Sequence, residues 1–110
     1  MSDDVVVAAA DRGWIRTFSG ARFFPFAPRA EDVRLVDVAH HLALRNRWSG
    51  ATREPLSVAQ HSVMLADLCE DDARVKGWPA PAIAGLAGLL RNAAEAYVSD
   101  VACPIVEAVR

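Results

Sequence analysis

The sequence contains few cysteines, little net charge and no long apolar run, and each absence excludes a class of protein. Two cysteines in 110 residues, Cys69 and Cys103, cannot build a disulfide framework and are typical of a reducing compartment. A net charge of −2 gives a nucleic-acid polymer no electrostatic reason to bind. No apolar run approaches the roughly 20 residues of a membrane-spanning helix, and the run Val5–Ala10 follows acidic residues, unlike a signal peptide. We therefore expect a cytoplasmic protein with neither a membrane nor a nucleic-acid polymer as its partner.

What the sequence does contain indicates one globular domain over residues 1–110. Its 53% hydrophobic and 24% charged residues are typical of a folded chain. Within residues 1–28, the extended runs Trp14–Phe18 and Arg22–Phe24 flank a turn at Gly20 and predict a small hairpin. Helical periodicity dominates the remainder. The predicted fold class is therefore all-α, with a small extended N-terminal region over residues 1–28.

Two helices are predicted in the first half of the chain. The first spans Leu35–Leu44, where apolar residues recur at helical spacing. The second begins at Ser57, because Ser57 and Gln60 form the capping-box pattern that satisfies the first amides of a helix. This start places His61 in the first turns of the helix, which we expect to end near Cys69.

A third helix is predicted over Pro81–Val98. The small residues Gly85, Ala87, Gly88 and Ala93 would let a neighbouring helix approach closely. At about 100° per residue the large apolar side chains form one stripe, which we expect to be buried: Ile83, Leu86, Ala87, Leu90, Ala94 and Tyr97.

Four segments occur in an order that resembles the HD-domain metal-dependent phosphohydrolases: WIRTFSGARFFPFAPRAEDV, LVDVAHHLAL, SVAQHSVML and LLRNAAEAYVSD. The resemblance runs from about Trp14 to Ile105 and is closest to the small branch that contains bacterial 5′-deoxynucleotidases and phage dATP triphosphohydrolases. It implies an HD-domain-like helical bundle. It also implies metal-dependent hydrolysis of a nucleotide phosphate, with a divalent ion such as Mn, Co or Zn as cofactor. Separately, we expect the chain to form a homodimer.

The resemblance carries over only part of the family's metal site. The first ligand of the family corresponds to His61, but its adjacent His-Asp pair is replaced by Arg91 and Asn92. A further family histidine corresponds to Ala51. The fourth ligand is an Asp on a later helix, and we expect the family's C-terminal helices to be absent because the sequence ends at Arg110.

The chemistry of the replaced residues predicts the loss of the metal. Metal-assisted hydrolysis needs a cation held by several N or O ligands, with an open position for water. The guanidinium of Arg91 is a permanent cation that cannot coordinate, and Asn92 offers an amide oxygen without negative charge. We therefore expect that this chain does not bind a divalent metal tightly. In the alternative interpretation of His61, the ring is a hydrogen-bonded helix residue near the core.

Two acids carry the expected proton chemistry. By resemblance, Glu95 matches the acid that helps to activate the attacking water, and Asp100 matches a second acid near the substrate. Glu95 also lies four residues after Arg91, so the two can instead form an ion pair, which at the surface contributes only about 0.3–0.5 kcal/mol.

Arginines near the middle of the chain are the expected substrate-binding residues. Arg47 and Trp48 correspond loosely to an Arg-Trp pair that contacts nucleotide in the relatives, and Arg45, Arg47 and Arg53 together could clamp a phosphate. In the alternative interpretation this is a solvated basic turn, and Trp48 is a packing residue.

Three hypotheses of function remain open at this point. In the first, the chain is an HD-family phosphohydrolase by descent, with impaired or lost activity. In the second, it is a metal-free pseudo-enzyme that binds a nucleotide or small phosphate through its arginines. In the third, it is a dimerising helical fragment whose exposed apolar surface needs a partner.

Overall fold

The computed structural model describes residues 13–99 and 103–108. Within these residues the backbone forms two short strands, two 3₁₀ turns and several α-helices. The predicted mainly helical class is confirmed, whereas the predicted site residue Asp100 and residues 1–12 of the N-terminal region lie outside the described residues. In chain order the elements are β1 (Ile15–Arg16), β2 (Arg22–Phe23), a 3₁₀ turn (Ala30–Asp32), α1 (Leu35–Leu44), a 3₁₀ turn (Arg47–Gly50), α2 (Val58–Val75), α3 (Pro81–Leu90), α4 (Glu95–Val98) and α5 (Cys103–Ala108).

The predicted N-terminal hairpin is confirmed. Strands β1 and β2 are antiparallel, with Ile15 opposite Phe23. The connecting turn closes where the Gly20 amide donates to the Thr17 carbonyl at 3.1 Å, and Gly20 has a φ of +91° that favours glycine. Because the strands are only two residues long, the hairpin depends on contacts with the helices for its stability.

A buried carboxylate on α1 holds the turn of the hairpin. Asp37 is fully buried and accepts hydrogen bonds from the Ser19 amide and the Ser19 hydroxyl, both at 2.7 Å. Burial alone would raise the pKa of Asp37, but the hydrogen bonds from Ser19 outweigh it and hold that pKa below its ordinary value. The carboxylate is therefore ionised at neutral pH, and its charge is satisfied by the turn.

The imidazole of His41, one turn after Asp37 on α1, joins three parts of the fold. Its Nε2 accepts the Phe18 amide at 3.1 Å, and its Nδ1 therefore donates to the Ala96 carbonyl at 2.9 Å. One ring thus connects the hairpin, α1 and α4. The two hydrogen bonds together define a single neutral tautomer.

The start of α2 is the predicted capping box. The Gln60 amide donates to the Ser57 hydroxyl at 3.0 Å, and the Ser57 amide donates to Gln60 Oε1 at 2.8 Å. The helix continues past the predicted end near Cys69 to Val75. Its last turns carry ion pairs at the i, i+4 spacing, Glu70–Arg74 and Asp72–Lys76, each at 2.8 Å, which support helix in a polar segment.

Substitution of the capping residue is expected to destabilise the domain. Ser57→Ala removes the side-chain acceptor of the Gln60 amide and should lower the free energy of unfolding by about 0.5–2 kcal/mol. Ser57→Asn, which restores a capping oxygen, is the matched control and should recover most of the loss. Urea denaturation followed by circular dichroism measures both, and equal stability of all three proteins would contradict the capping role.

The predicted inward face of α3 is wrong. Leu86 and Leu90 are 53% and 48% exposed, whereas Gly85 and Gly88 are buried against α2. Glycine has no Cβ, so the helix axes approach most closely along the glycine face, and the larger apolar side chains lie outside the contact. The expected close approach through the two glycines is confirmed. Tyr97, the last residue of the predicted stripe, is buried as expected.

Gly88 tolerates no larger side chain in this packing. A Cβ at Gly88 would lie 2.9 Å from Cys69 Sγ and 3.0 Å from the Leu65 carbonyl oxygen. Gly88→Val should therefore lower the free energy of unfolding by about 1–3 kcal/mol through overpacking. Ala82→Val, at an exposed position of the same helix, is the control and should cost less than about 1 kcal/mol. If chemical denaturation gave equal losses of unfolding free energy for the two variants, α2 and α3 would accommodate the larger side chain at Gly88 without a destabilising overlap.

The predicted continuous helix over Pro81–Val98 is also wrong, because the backbone tightens after Leu90. The amides of Ala93, Glu95, Ala96 and Tyr97 each donate to the carbonyl three residues earlier, at 3.0–3.1 Å. This 3₁₀-like geometry has about three residues per turn, so it changes the direction of the side chains that follow.

The rotation brings Ala96 and Tyr97 into the main core. Their buried partners are Phe23, Leu42 and Val58. The Phe23 and Tyr97 rings stack with their centroids 4.2 Å apart. The core therefore joins the hairpin, α1, the start of α2 and α4.

Candidate functional site

The candidate site is centred on His61, in the first turns of α2. His61 is half-buried, and its pKa is lowered by burial first and then by the positive charges of Arg47 and Arg91. The structure therefore brings together His61, one of the predicted substrate-binding arginines and the arginine that replaces a family metal ligand. At physiological pH the imidazole is therefore neutral, and two permanent cations are close enough to act on it electrostatically.

Backbone pairing places Arg47 beside the start of α2. Arg47 donates its amide to the Leu56 carbonyl at 2.8 Å, and Val58 donates to the Arg45 carbonyl at 2.8 Å. These bonds form a bridge that brings the segment after α1 alongside the segment before α2. The Arg47 guanidinium stacks on the Trp48 ring at 4.8 Å, and its Nε is shielded from solvent. The guanidinium is thus positioned by its surroundings.

The turn that follows Arg47 has a strained backbone. Trp48 and Ser49 have φ values of +50° and +52°, and Gly50 follows at +87°. Left-handed residues other than glycine cost on the order of 1–3 kcal/mol each, and such residues cluster at functional sites. Trp48 is 57% exposed. The alternative interpretation, in which Trp48 is a packing residue, therefore applies only to the contact of its ring with Arg47.

The remaining predicted residues lie in different environments. Glu95 begins α4, is half-buried and has its Oε2 shielded from solvent. Asn92 is half-buried in the tightened turn, and Arg91 beside it is exposed. Arg53 is exposed, as is Ala51.

The donor set around His61 does not fit a metal. Across residues 13–99 and 103–108, no group of three or more His, Cys, Asp or Glu side chains could hold a metal ion. The charged neighbours that lower the pKa of His61 are guanidinium groups, which repel a cation and offer it no lone pair. The residues around His61 therefore do not fit the divalent metal that the resemblance implies.

The structural roles of Asp37 and His41 were not predicted, and Arg45 was predicted only as part of a phosphate clamp. Arg45 donates to the Ser99 hydroxyl and to the Ala96 carbonyl, the latter at 3.5 Å, and it lines a cavity of about 260 Å³. Asp37 and His41 lie four residues apart on one face of α1, and Arg45 directly follows the helix. The spacing of four residues is the signal in the sequence that could have identified them.

The fold and site together define a mainly helical domain with a cationic, histidine-centred site. No family model matches the chain. It is similar to an uncharacterized protein of Rhodobacter capsulatus, with 35% identity over 103 residues that cover 89% of this chain and 49% of the relative. It is also similar to the uncharacterized protein YfdR of Escherichia coli, with 29% identity over 92 residues that cover 84% of this chain and 46% of the relative.

The chain spans about half the length of the curated relatives it matches. In the part of the chain that the structure describes, no helix has the length and apolar character needed to cross a membrane.

Proposed function

We propose that the chain is an HD-type phosphohydrolase by descent, with hydrolysis impaired or lost, whose site binds the phosphate of a nucleotide without a metal. The observation that supports this proposal is that the positive charges of Arg47 and Arg91 both lower the pKa of the half-buried, neutral His61. In the parent reaction a divalent metal would polarise the phosphate and activate water. Here positive charge is supplied by side chains.

The chemistry of the arginines supports phosphate binding. A guanidinium presents a planar fork of N–H donors that matches two phosphate oxygens, and it stays charged at any physiological pH. Arg47 is half-buried with its ring contact to Trp48, so it loses less side-chain freedom on binding than a fully exposed arginine would. His61 can add a neutral N–H donor.

In this proposal Glu95 is the proton acceptor of the parent reaction, in which a metal would activate the water. A carboxylate is an effective general base only when the water it deprotonates is made acidic or well oriented. We assign Glu95, with Asp100 as a second acid, to the parent chemistry and expect no turnover.

Binding of phosphate compounds by the unaltered protein tests this proposal. Isothermal titration with deoxyadenosine monophosphate and with inorganic phosphate should show saturable binding. Arg47→Ala and Arg91→Ala should each weaken it about tenfold, the loss expected for one charge-assisted hydrogen bond. Arg29→Ala, which removes an exposed arginine paired with Asp32 at 3.0 Å, is the control and should leave binding unchanged. Absence of binding, or equal effects of all three variants, would contradict the proposal.

An apolar surface favours a second candidate function, that of a dimerising domain. Helices α1, α2 and α3 border a groove of about 220 Å³, and Leu35, Val63 and Leu90 on its edges are 78%, 55% and 48% exposed. Exposed apolar patches of this kind mark interaction sites. Sedimentation at increasing protein concentration should then show a dimer that phosphate does not alter, whereas a monomer at all concentrations would remove this candidate.

A further inference from the structure

A cleft along the contact of α2 and α3 extends away from the cationic site. It has a volume of about 480 Å³, within the range of roughly 300–1,000 Å³ that small-molecule sites occupy. The cavity beside Arg45 and the groove bordered by Leu90 are smaller, at about 260 and 220 Å³. We infer that this cleft holds the planar, apolar part of an aromatic anion, such as the base of a nucleotide, while the anionic group binds at Arg91; the inference rests on the proposed function.

The cleft and the cationic site share one face of α2. Leu65, Cys69 and Asp72 line the cleft and follow His61 at spacings of 4, 8 and 11 residues, which place all four on one side of a helix. Arg91, the residue directly after α3, lines the same cleft and also lowers the pKa of His61. A ligand bound at Arg91 therefore has the cleft directly beside it.

The floor of the cleft is formed by small residues. Ala84, Ala87 and Gly88 are its lining residues on α3, and Gly88 packs so closely that Cys69 Sγ would lie 2.9 Å from an added Cβ. Small side chains leave a flat surface between the two helices. A planar ring can lie on such a surface with contact over its whole face.

Trp78 supplies an aromatic wall at the far end. Its amide donates to the Ala73 carbonyl at 2.9 Å, which fixes the loop between the helices to the end of α2. The indole is 55% exposed and lines the cleft. Lys76 Nζ lies 5.0 Å from the indole ring and pairs with Asp72 at 2.8 Å, so the lysine helps to position the ring while its charge is neutralised.

The charges at the two ends of the cleft orient a ligand in one direction. Asp72 and Lys76 neutralise each other near the Trp78 end, whereas Arg91 carries a positive charge that attracts an anionic group at the opposite end. Ala84 and Arg91 are seven residues apart, a distance of about 10 Å along a helix. An aromatic ring joined to an anionic group by a short linker, as in a nucleoside monophosphate, matches this arrangement of apolar surface and charge.

Nuclear magnetic resonance of the full chain tests the inference with deoxyadenosine monophosphate, deoxyadenosine and inorganic phosphate as probes. The indole N–H signal of Trp78, assigned by its loss in Trp78→Phe, should shift on titration with the monophosphate, while that of Trp14 stays unchanged. The monophosphate should bind at least about tenfold more tightly than either fragment, since stacking of one base contributes on the order of 1–3 kcal/mol.

A pair of matched variants on α3 separates the cleft from the cationic site. Ala87→Leu fills the floor of the cleft and should weaken binding of the monophosphate at least about tenfold without changing that of inorganic phosphate. Ala82→Leu introduces the same side chain at an exposed position of α3 that does not line the cleft, and it should change neither.

The outcomes distinguish the two proposals. In one outcome, binding of the monophosphate needs Arg47 and Arg91, but Ala87→Leu does not weaken it and the Trp78 signal does not shift. This outcome would contradict the inferred role of the cleft and leave the proposed function intact. Binding of deoxyadenosine in the cleft, with no response to phosphate or to Arg91→Ala, would overturn the proposed function and the assigned orientation together. Absence of binding by every probe would overturn both.

Discussion

Asp37→Ala is expected to lower the free energy of unfolding by about 2–4 kcal/mol, because it leaves the amide and hydroxyl of Ser19 without their acceptor. Both groups donate to the Asp37 carboxylate at 2.7 Å, and the carboxylate is fully buried. The hairpin turn should detach while the α2–α3 pair stays folded. Urea denaturation gives the stability, and amide exchange at Ser19 gives the location of the loss.

Asp37→Asn is the matched control for this experiment. The amide keeps the shape of the side chain and one oxygen acceptor, so the loss should be smaller than for alanine. If alanine and asparagine both cost less than about 0.5 kcal/mol, the anchoring role of Asp37 would be wrong.

The same carboxylate predicts a dependence of stability on pH. The pKa of Asp37 in the folded protein is held below its ordinary value, so the unfolded chain binds a proton more readily than the folded chain. The contribution is fully present above the unfolded pKa of about 3.9 and is lost as pH falls through the folded value. When the pH is lowered from about 5 to about 2, the range in which carboxylates titrate, the free energy of unfolding should therefore fall less for Asp37→Asn than for the unaltered protein.

The unaltered chain is expected to bind no stoichiometric divalent metal and to hydrolyse no nucleotide, whereas Arg91→His/Asn92→Asp should bind metal detectably. The reversion removes a positive charge, adds a ring nitrogen at position 91 and restores a carboxylate at position 92. Native mass spectrometry with manganese, cobalt, nickel and zinc measures the stoichiometry. A one-to-one complex of the unaltered chain that disappears in His61→Ala would contradict the metal-free proposal.

Glu95→Gln in the reverted background separates metal binding from proton transfer. It should leave metal binding intact and suppress any hydrolysis, because Glu95 is assigned to the proton. Loss of the metal in this variant would instead make Glu95 a ligand.

Local signals in the sequence predicted much of the fold. The range Leu35–Leu44 and the Ser57–Gln60 capping box were correct because each depends on residues within a few positions of one another. The face of α3 was not predicted, because hydropathy favours burial of Leu86 and Leu90, whereas the absence of a Cβ at Gly88 decides where the helices meet. Which face of α3 is buried therefore depends on the side chains of the partner helix. The periodicity of one segment carries no information about that partner.

The candidate site was predicted in part for a similar reason. His61 and Arg91 were placed by helical spacing and by resemblance, and the structure brings them into electrostatic contact. The contribution of Arg47 to the same contact depends on the backbone pairing between the segments around Asn46 and Ser57. The end of α3 at Leu90 was not predicted, because the alanine-rich segment that follows favours a continuous helix. Burial of Tyr97 favours the tighter turn instead.

The hydrogen bonds of His41 have a consequence for the order in which the protein folds. Its partners Phe18 and Ala96 lie 23 and 55 positions away in sequence, whereas α2 and α3 are joined by a short loop. Contacts between distant residues form late because they require closure of long loops. We therefore expect the α2–α3 pair to form early, and the two hydrogen bonds of His41 to form only when the hairpin and α4 have packed against α1.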